Sequence, residues 1–131
     1  HTNGDTIIFL DKLRTVITGD LVFNKKIPYM ADAYIDEWIE SLKYIQFLKN
    51  ETVIPGHGPI GGRPTVIAMK HYLMDLKERV LEQLKDKKSL EETQNAVEPI
   101  LRKKYKDWKK LDWIKGNIER AWLEYSSKEK A

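Results

Sequence analysis

Short apolar runs separated by polar breaks open the chain, and longer stripes of apolar residues follow them. The runs at residues 6–10 and 14–18 are rich in β-branched residues and are separated by Asp11 and Lys12, which predicts two strands joined as a hairpin. A third run, at residues 52–54, ends at a Pro-Gly pair and predicts one more strand. Because the first two runs are apolar on both faces in places, we expect a sheet that is covered on each side.

Apolar residues spaced three or four positions apart predict helices in the rest of the chain. The first helix covers about residues 31–50 with Asp32 as its N-cap, and the second runs from Pro64 to about residue 87. The apolar stripe of the first helix predicts that this helix packs on a sheet, and the second helix carries one long apolar stripe. The order is therefore two strands, a helix, a strand, and then helices only, which is an α/β or α+β pattern.

The last third of the chain is predicted to be entirely helical. Ser89 and Glu92 form a capping box that begins a third helix, which Pro99 should kink or restart. A final helix carries Ile114 and Tyr125 on its apolar side, and residues 126–131 are expected to be a frayed tail.

Composition restricts the chemistry more than it identifies the function. The chain has 131 residues, 41% hydrophobic and 33% charged, which fits one globular domain. It contains no cysteine, so disulfides, iron–sulfur clusters and thiol nucleophiles are excluded, and any metal must be held by imidazole and carboxylate groups. The net charge of +3 predicts neither a nucleic-acid nor a membrane partner by itself.

Polar residues flank the predicted strands at three places, and these are the candidate functional positions. The sequence HTNGD, which contains His1, precedes the first strand, Gly19 and Asp20 follow the second, and PGHGP, which contains His57, follows the third. Loops at strand ends supply exposed side chains whose positions the sheet fixes. Two imidazoles and one carboxylate are a partial ligand set for zinc, manganese or iron, but too few for a closed structural site.

Each candidate also has a plainer interpretation. A Gly-Asp pair at Asp20 is often only a turn, and His1 could be the remnant of an affinity tag. His57 lies between two glycines with no neighbouring side chain to pack it, so a functional role is as well supported as a structural one. His71 falls within the second predicted helix, where a surface or packing role is favoured.

The succession HTNGD, hairpin, TGDLVF, amphipathic helix and VIPGHGP resembles the C-terminal half of a metallo-β-lactamase-fold hydrolase of the group that includes glyoxalase II. The resemblance implies half of a four-layer αββα sandwich, with about three strands and four to five helices. Residues 1–87 would be the C-terminal half of that domain, and residues 88–131 a helical C-terminal extension. It also implies that His1, Asp20 and His57 bind metal, with Asp20 bridging two metal ions, most simply two zinc ions.

The family's principal metal motif, His-x-His-x-Asp-His, is absent from these residues. We therefore expect an incomplete fragment that is inactive alone and need not hold metal, with the rest of the site carried by the missing N-terminal half. The complete enzyme would hydrolyse a small-molecule ester, thioester or lactone through a metal-bound hydroxide. Asn24 and Tyr29, in the segment after Asp20, are the polar residues we expect to bind the substrate.

Two alternatives remain from the sequence. An isolated half-domain would expose an apolar sheet face, so this chain could be an inactive unit that self-associates, for instance as a homodimer. The basic run over residues 102–110 could instead indicate a nuclease or a module that binds single-stranded nucleic acid. A solvated lysine face, with Tyr105 and Trp108 packing inward, explains that run more simply.

Overall fold

A computed structural model of the chain describes residues 6–130, with side chains described to residue 128. The predicted order of strands and helices is confirmed. The elements are β1 (Ile8–Leu10), β2 (Thr15–Phe23), α1 (Ile35–Phe47), β3 (Thr52–His57), α2 (Arg63–Lys85), α3 (Leu90–Lys104) and α4 (Ile114–Lys130), with single 3₁₀ turns at Asp11–Leu13 and Leu111–Trp113.

The three strands form one sheet in the order β1-β2-β3. β1 and β2 are antiparallel, as predicted for the hairpin, whereas β2 and β3 are parallel and α1 provides the connection between them. The register of β2 against β3 shifts on both sides of Gly19. These irregularities carry β2 on to Phe23, beyond the run that the apolar pattern predicts.

The two faces of the sheet have different environments. On one face, Val16 is the register partner of both Phe9 and Val53. Val16 and Val53 are buried there, and α1 and α2 contact β2. Ile8 and its partner Ile17 lie on the other face, and Ile8 is 53% exposed. The expectation of a sheet covered on both sides is therefore wrong for the described residues.

α1 begins later than predicted and is capped differently. Its N-cap is Tyr34 rather than Asp32, and the free backbone N–H of Ile35 is bound by the carboxylate of Glu124 on α4 at 2.8 Å. A cap that comes from so far along the chain leaves no local sequence signal. The predicted apolar stripe is confirmed by five buried residues, namely Ile35, Trp38, Ile39, Leu42 and Ile45.

The capping box of α3 is confirmed, but the predicted break at Pro99 is not. Ser89 Oγ accepts from the Glu92 amide at 3.2 Å, and Glu92 accepts from the Ser89 amide at 3.1 Å. α3 continues through Pro99 as one helix. Asn95 and Pro99 are both exposed, so water can solvate the carbonyl that loses its donor.

α4 extends to Lys130, so the prediction of a frayed tail is wrong over residues 126–130. Lys128 holds this end by contacting Asp36 at 2.8 Å and Glu124 at 3.2 Å. Buried residues of α3 and α4, such as Leu101 and Ile118, join the same apolar cluster as those of the sheet and α1. No helix in residues 6–130 is both long enough and apolar enough to cross a membrane. The division of the chain at residue 87 stays a prediction.

Candidate metal centre

Asp20 and His57 lie next to each other at one edge of the sheet. Asp20 follows the bulge at Gly19 in β2, His57 is the last residue of β3, and the parallel pairing brings these positions to the same edge. His57 Nε2 is 3.3 Å from Asp20 Oδ1, and both side chains are partly exposed, at 44% and 42%. An imidazole nitrogen and a carboxylate oxygen are thus close together and accessible to a ligand.

Glycine at position 56 permits this approach. A Cβ on Gly56 would overlap Asp20 Oδ1 and lie 2.6 Å from the carbonyl carbon of Gly19. Gly58 has a φ of +94° and its Cβ would overlap the carbonyl oxygen of Asn24. The glycines around His57 therefore let its loop pack directly against the backbone that follows Asp20.

Phe23 fixes the plane of the His57 imidazole. The two rings stack with their centroids 4.6 Å apart and an angle of 16° between their planes, and Phe23 is buried. The Asn24 amide donates to the His57 carbonyl at 2.9 Å, so the backbone on both sides of the stack is also held. The ring faces solvent with one orientation supported by its neighbours, as a ligand or a base requires.

Asn24 and Tyr29, the two residues expected to bind the substrate, make different contacts in the structure. Asn24 Nδ2 donates to the Pro59 carbonyl at 2.7 Å and so holds the loop that contains His57. Tyr29 is half-exposed and makes an edge contact with Trp113, 5.8 Å between centroids. A cavity of about 200 Å³ lies beside these two rings. Substrate binding by either residue stays a prediction.

The described residues supply only part of a metal site. Within residues 6–130, no group of three or more His, Asp or Glu residues is placed to hold a metal ion. Asp20 and His57 offer one oxygen and one nitrogen donor, which fit zinc, manganese or iron as a partial set. His1 lies outside the described residues. His71 is exposed on α2, as expected for a surface histidine.

Sequence reasoning missed the residues that hold the segment between β2 and α1. Lys26 and Lys109 form an isolated parallel bridge, in which Ile27 N donates to Lys109 O at 2.9 Å. α4 then binds the same segment twice more, with Asn117 Nδ2 donating to Pro28 O at 3.1 Å and Arg120 Nε to Ala33 O at 2.7 Å. The C-terminal helices thus shape the loop that follows Asp20, and only their distance along the chain concealed this.

In the basic run at residues 102–110, the aromatic side chains pack inward, as the simpler of the two interpretations predicts. Tyr105 is buried, Trp108 is partly buried, and their ring centroids are 4.8 Å apart. Both rings also contact Tyr72 of α2. Rings packed in this way are not free to stack on bases, which weakens the argument for single-stranded nucleic acid.

Comparison with known proteins shows which part of the chain is similar to a known family. A family model described as the metallo-beta-lactamase superfamily matches residues 1–57, a segment that contains Asp20 and ends at His57. No curated protein matches the chain.

Two similar solved structures are VMB-1 at pH 5.5, with 25% identity, and the DIM-1 metallo-beta-lactamase, with 26% identity. Each has a TM-score of 0.52 over 56% of this chain. The chain covers 36% of the length of VMB-1 and 37% of that of DIM-1. The chain has a three-stranded sheet and four helices, and the matched 56% of it corresponds to part of the metallo-β-lactamase fold, which is a fold of metal-dependent hydrolases.

Proposed function

We propose that this chain is part of a metal-dependent hydrolase in which Asp20 and His57 bind a divalent metal. The observation that carries the proposal is the 3.3 Å approach of His57 Nε2 to Asp20 Oδ1 at the ends of two neighbouring parallel strands. Both residues lie in the segment that matches the metallo-beta-lactamase family model. A surface ion pair could also have this distance, but it would not require the glycine at position 56 beside it.

The chain's own residues prepare the two donors. Phe23 orients the His57 ring, and the lack of a Cβ on Gly56 leaves room for the Asp20 carboxylate. A divalent ion, when bound, supplies a nucleophile from water at neutral pH and polarises the carbonyl of the substrate. We propose His1 as a further ligand and Asp20 as the ligand shared by two ions, with zinc favoured over iron or manganese.

Two donors leave coordination positions that the described residues do not fill. We propose that an N-terminal half of the same domain supplies them, since the chain covers little more than a third of VMB-1 and of DIM-1. The proposed substrate is a small ester, thioester or lactone, as in the glyoxalase II-like branch. On this proposal the 131-residue chain binds metal weakly and is inactive alone.

Zinc titration of the purified chain by calorimetry tests the ligand assignment. We expect Asp20→Asn and His57→Gln each to weaken zinc binding at least tenfold, because ligands removed from a site cannot be replaced by water at equal affinity. His71→Gln is the matched control, since it removes an exposed imidazole on α2 and should leave the affinity unchanged. Equal affinity in all four proteins would overturn the assignment.

A further inference from the structure

Asn24 lies immediately after β2, and the loop that follows β3 winds around it. Its backbone N–H donates to the carbonyl of His57 at 2.9 Å, and its side-chain Nδ2 donates to the carbonyl of Pro59 at 2.7 Å. A Cβ on Gly58 would overlap the Asn24 carbonyl oxygen, and a Cβ on Gly61 would lie 3.0 Å from Nδ2. Asn24 therefore contacts the backbone at His57 and again beyond it.

Burial does little to hold this loop. Residues 56–60 are all exposed, so no packed environment fixes their backbone. The loop is closed at its base, where Val53 and Gly61 exchange backbone hydrogen bonds of 2.9 and 3.0 Å. Between that base and its tip, the position of His57 depends on polar contacts and on the stack with Phe23. Hydrogen bonds from Asn24 are therefore well placed to decide where the imidazole lies.

The backbone around Asn24 is itself held on both sides. Phe23, the residue before it, is buried in the core. Lys25, the residue after it, has a φ of 58°, so the chain turns sharply at once. The carbonyl of Lys25 accepts from the amide of Lys109 at 3.0 Å, which joins this turn to the segment before α4. Asn24 is thus anchored independently of the loop that it contacts.

We propose that Asn24 is a positioning residue for the candidate metal centre, whose amide holds the loop after β3 so that the His57 imidazole stays stacked on Phe23 and beside Asp20. This inference rests on the proposed function, which it extends by adding a residue outside the ligand set. The sequence predicts a substrate contact for Asn24 instead. A residue with that role alone would affect turnover and would leave the metal-free chain and its zinc affinity unchanged.

Asn24→Asp isolates the hydrogen bond from the shape of the side chain. The carbonyl of Pro59 can only accept, so an amide nitrogen suits it, whereas an ionised carboxylate has no proton to donate and would be repelled. The same substitution adds a negative charge next to the candidate metal centre, and that charge by itself favours a cation. Loss of positioning and gain of charge therefore change zinc affinity in opposite directions.

Nuclear magnetic resonance of the metal-free 131-residue chain reports the position of the His57 ring. The ring signals are assigned from their loss in His57→Gln and are measured at about pH 9, where free imidazole is uncharged. The ring current of Phe23 displaces these signals while the two rings are stacked. We expect Asn24→Asp and Asn24→Ala to move them toward the values of an unstacked histidine. The signals of His71, on α2, should stay in place and show that the fold is kept.

Zinc titration of the same variants measures the consequence for the metal. Asn24→Asp should weaken zinc binding about tenfold despite its added charge, as expected when a partner that orients a metal ligand is removed. Gln94→Glu is the matched control, because Gln94 Nε2 donates to the carbonyl of Lys115 at 3.2 Å, also at an exposed contact, and the change again replaces an amide with a carboxylate. This variant should leave the His57 signals and the zinc affinity unchanged.

The two measurements separate this inference from the function on which it rests. If the His57 signals move in Asn24→Asp but His57→Gln binds zinc as well as the original chain, Asn24 positions the ring and the metal assignment falls. Unmoved His57 signals in Asn24→Asp would overturn the inference and leave the hydrolase proposal standing. Where zinc binding does depend on His57, an affinity in Asn24→Asp equal to or above that of the original chain would overturn it as well.

Discussion

Gly56 illustrates how one residue can determine whether the candidate centre forms. A Cβ at this position would meet the Asp20 carboxylate and would lie 2.7 Å from the carbonyl oxygen of Gly19. Because the second contact is with backbone, it cannot be relieved by a change of rotamer. We expect Gly56→Ala to lower the free energy of unfolding by about 1–3 kcal/mol and to weaken zinc binding, as measured by urea denaturation and calorimetry.

Gly116→Ala is the appropriate comparison for that substitution. Gly116 lies in the first turn of α4, and a Cβ there would have no heavy atom within 4 Å. Alanine is the better helix former, so this variant should be as stable as the original or more stable, by up to about 1 kcal/mol. Equal destabilisation by both substitutions would contradict a specific role for Gly56.

At this scale the sequence indicated some candidate positions and concealed other contacts. Asp20 and His57 could be identified as candidates because glycines adjoin them at the ends of predicted strands. Lys26 carried no such signal, because its partners Lys109 and Trp113 belong to a segment far along the chain. Local patterns report local constraints, and contacts between segments far apart along the chain lie beyond them.

The start of α1 depends on another helix. Glu124 of α4 accepts from the Ile35 amide at 2.8 Å and from the Asp36 amide at 3.4 Å, and its side chain is only 5% exposed. These two N–H groups would otherwise be unpaired at the first turn of α1. Glu124 therefore acts as a cap from 89 positions away.

We expect Glu124→Ala to lower the free energy of unfolding by about 1–3 kcal/mol, because it leaves buried donors without an acceptor. Glu119→Ala, on the same helix but exposed, makes the same change in helix propensity and should cost less than about 0.5 kcal/mol. Chemical denaturation of both variants checks the difference. If the two lose equal stability, the cap contributes nothing beyond helix propensity.

Element boundaries show why sequence patterns identified the helices better than their ends. The apolar stripe of α1 follows from its own residues, but its first residue is set by Glu124, and the pattern placed the start four positions too early. β2 likewise continues to Phe23 because β3 pairs with it past two register shifts. Capping boxes such as Ser89 with Glu92 are local, and that boundary was predicted correctly.

For the molecule as a whole, Asp36 joins three helices. It lies on α1 and contacts Lys77 of α2 together with Tyr125 and Lys128 of α4. Burial acts to raise the pKa of Asp36, but hydrogen bonds from Lys128, Lys77 and Tyr125 outweigh it and hold the pKa well below its usual range. The C-terminal helices are thus coupled to the rest of the chain through one ionised carboxylate.

A carboxylate with a depressed pKa in the folded state stabilises that state at pH values above its unfolded pKa of about 3.9. This stabilisation is lost as the pH falls below that value toward the folded pKa. We expect Asp36→Asn to lower the free energy of unfolding by about 1 kcal/mol at pH 6 and by less at pH 3. The value at pH 6 is set low because Asp36 and the lysines that contact it are partly exposed. Denaturation at the two pH values measures the change, and an equal loss of stability at pH 6 and pH 3 would contradict it.

The uncovered face of the sheet leads to a prediction about assembly. Ile8 and Leu10 lie on this face at 53% and 40% exposure, at the edge strand β1, and in the described residues no helix covers them. Adjacent exposed apolar side chains on an edge strand favour association with another apolar surface. We expect the purified chain to self-associate, with a sedimentation coefficient that rises with concentration.

Charge on that face should reverse the association. Ile8→Lys together with Leu10→Lys should shift the equilibrium toward monomer by at least tenfold in the dissociation constant, because burying two ammonium groups in an apolar interface is costly. Leu123→Lys places the same charge at an exposed leucine on α4 and should leave association unchanged. Sedimentation of all three proteins decides between the surfaces. A chain that is monomeric at the highest concentrations would show that this face does not bind a second copy.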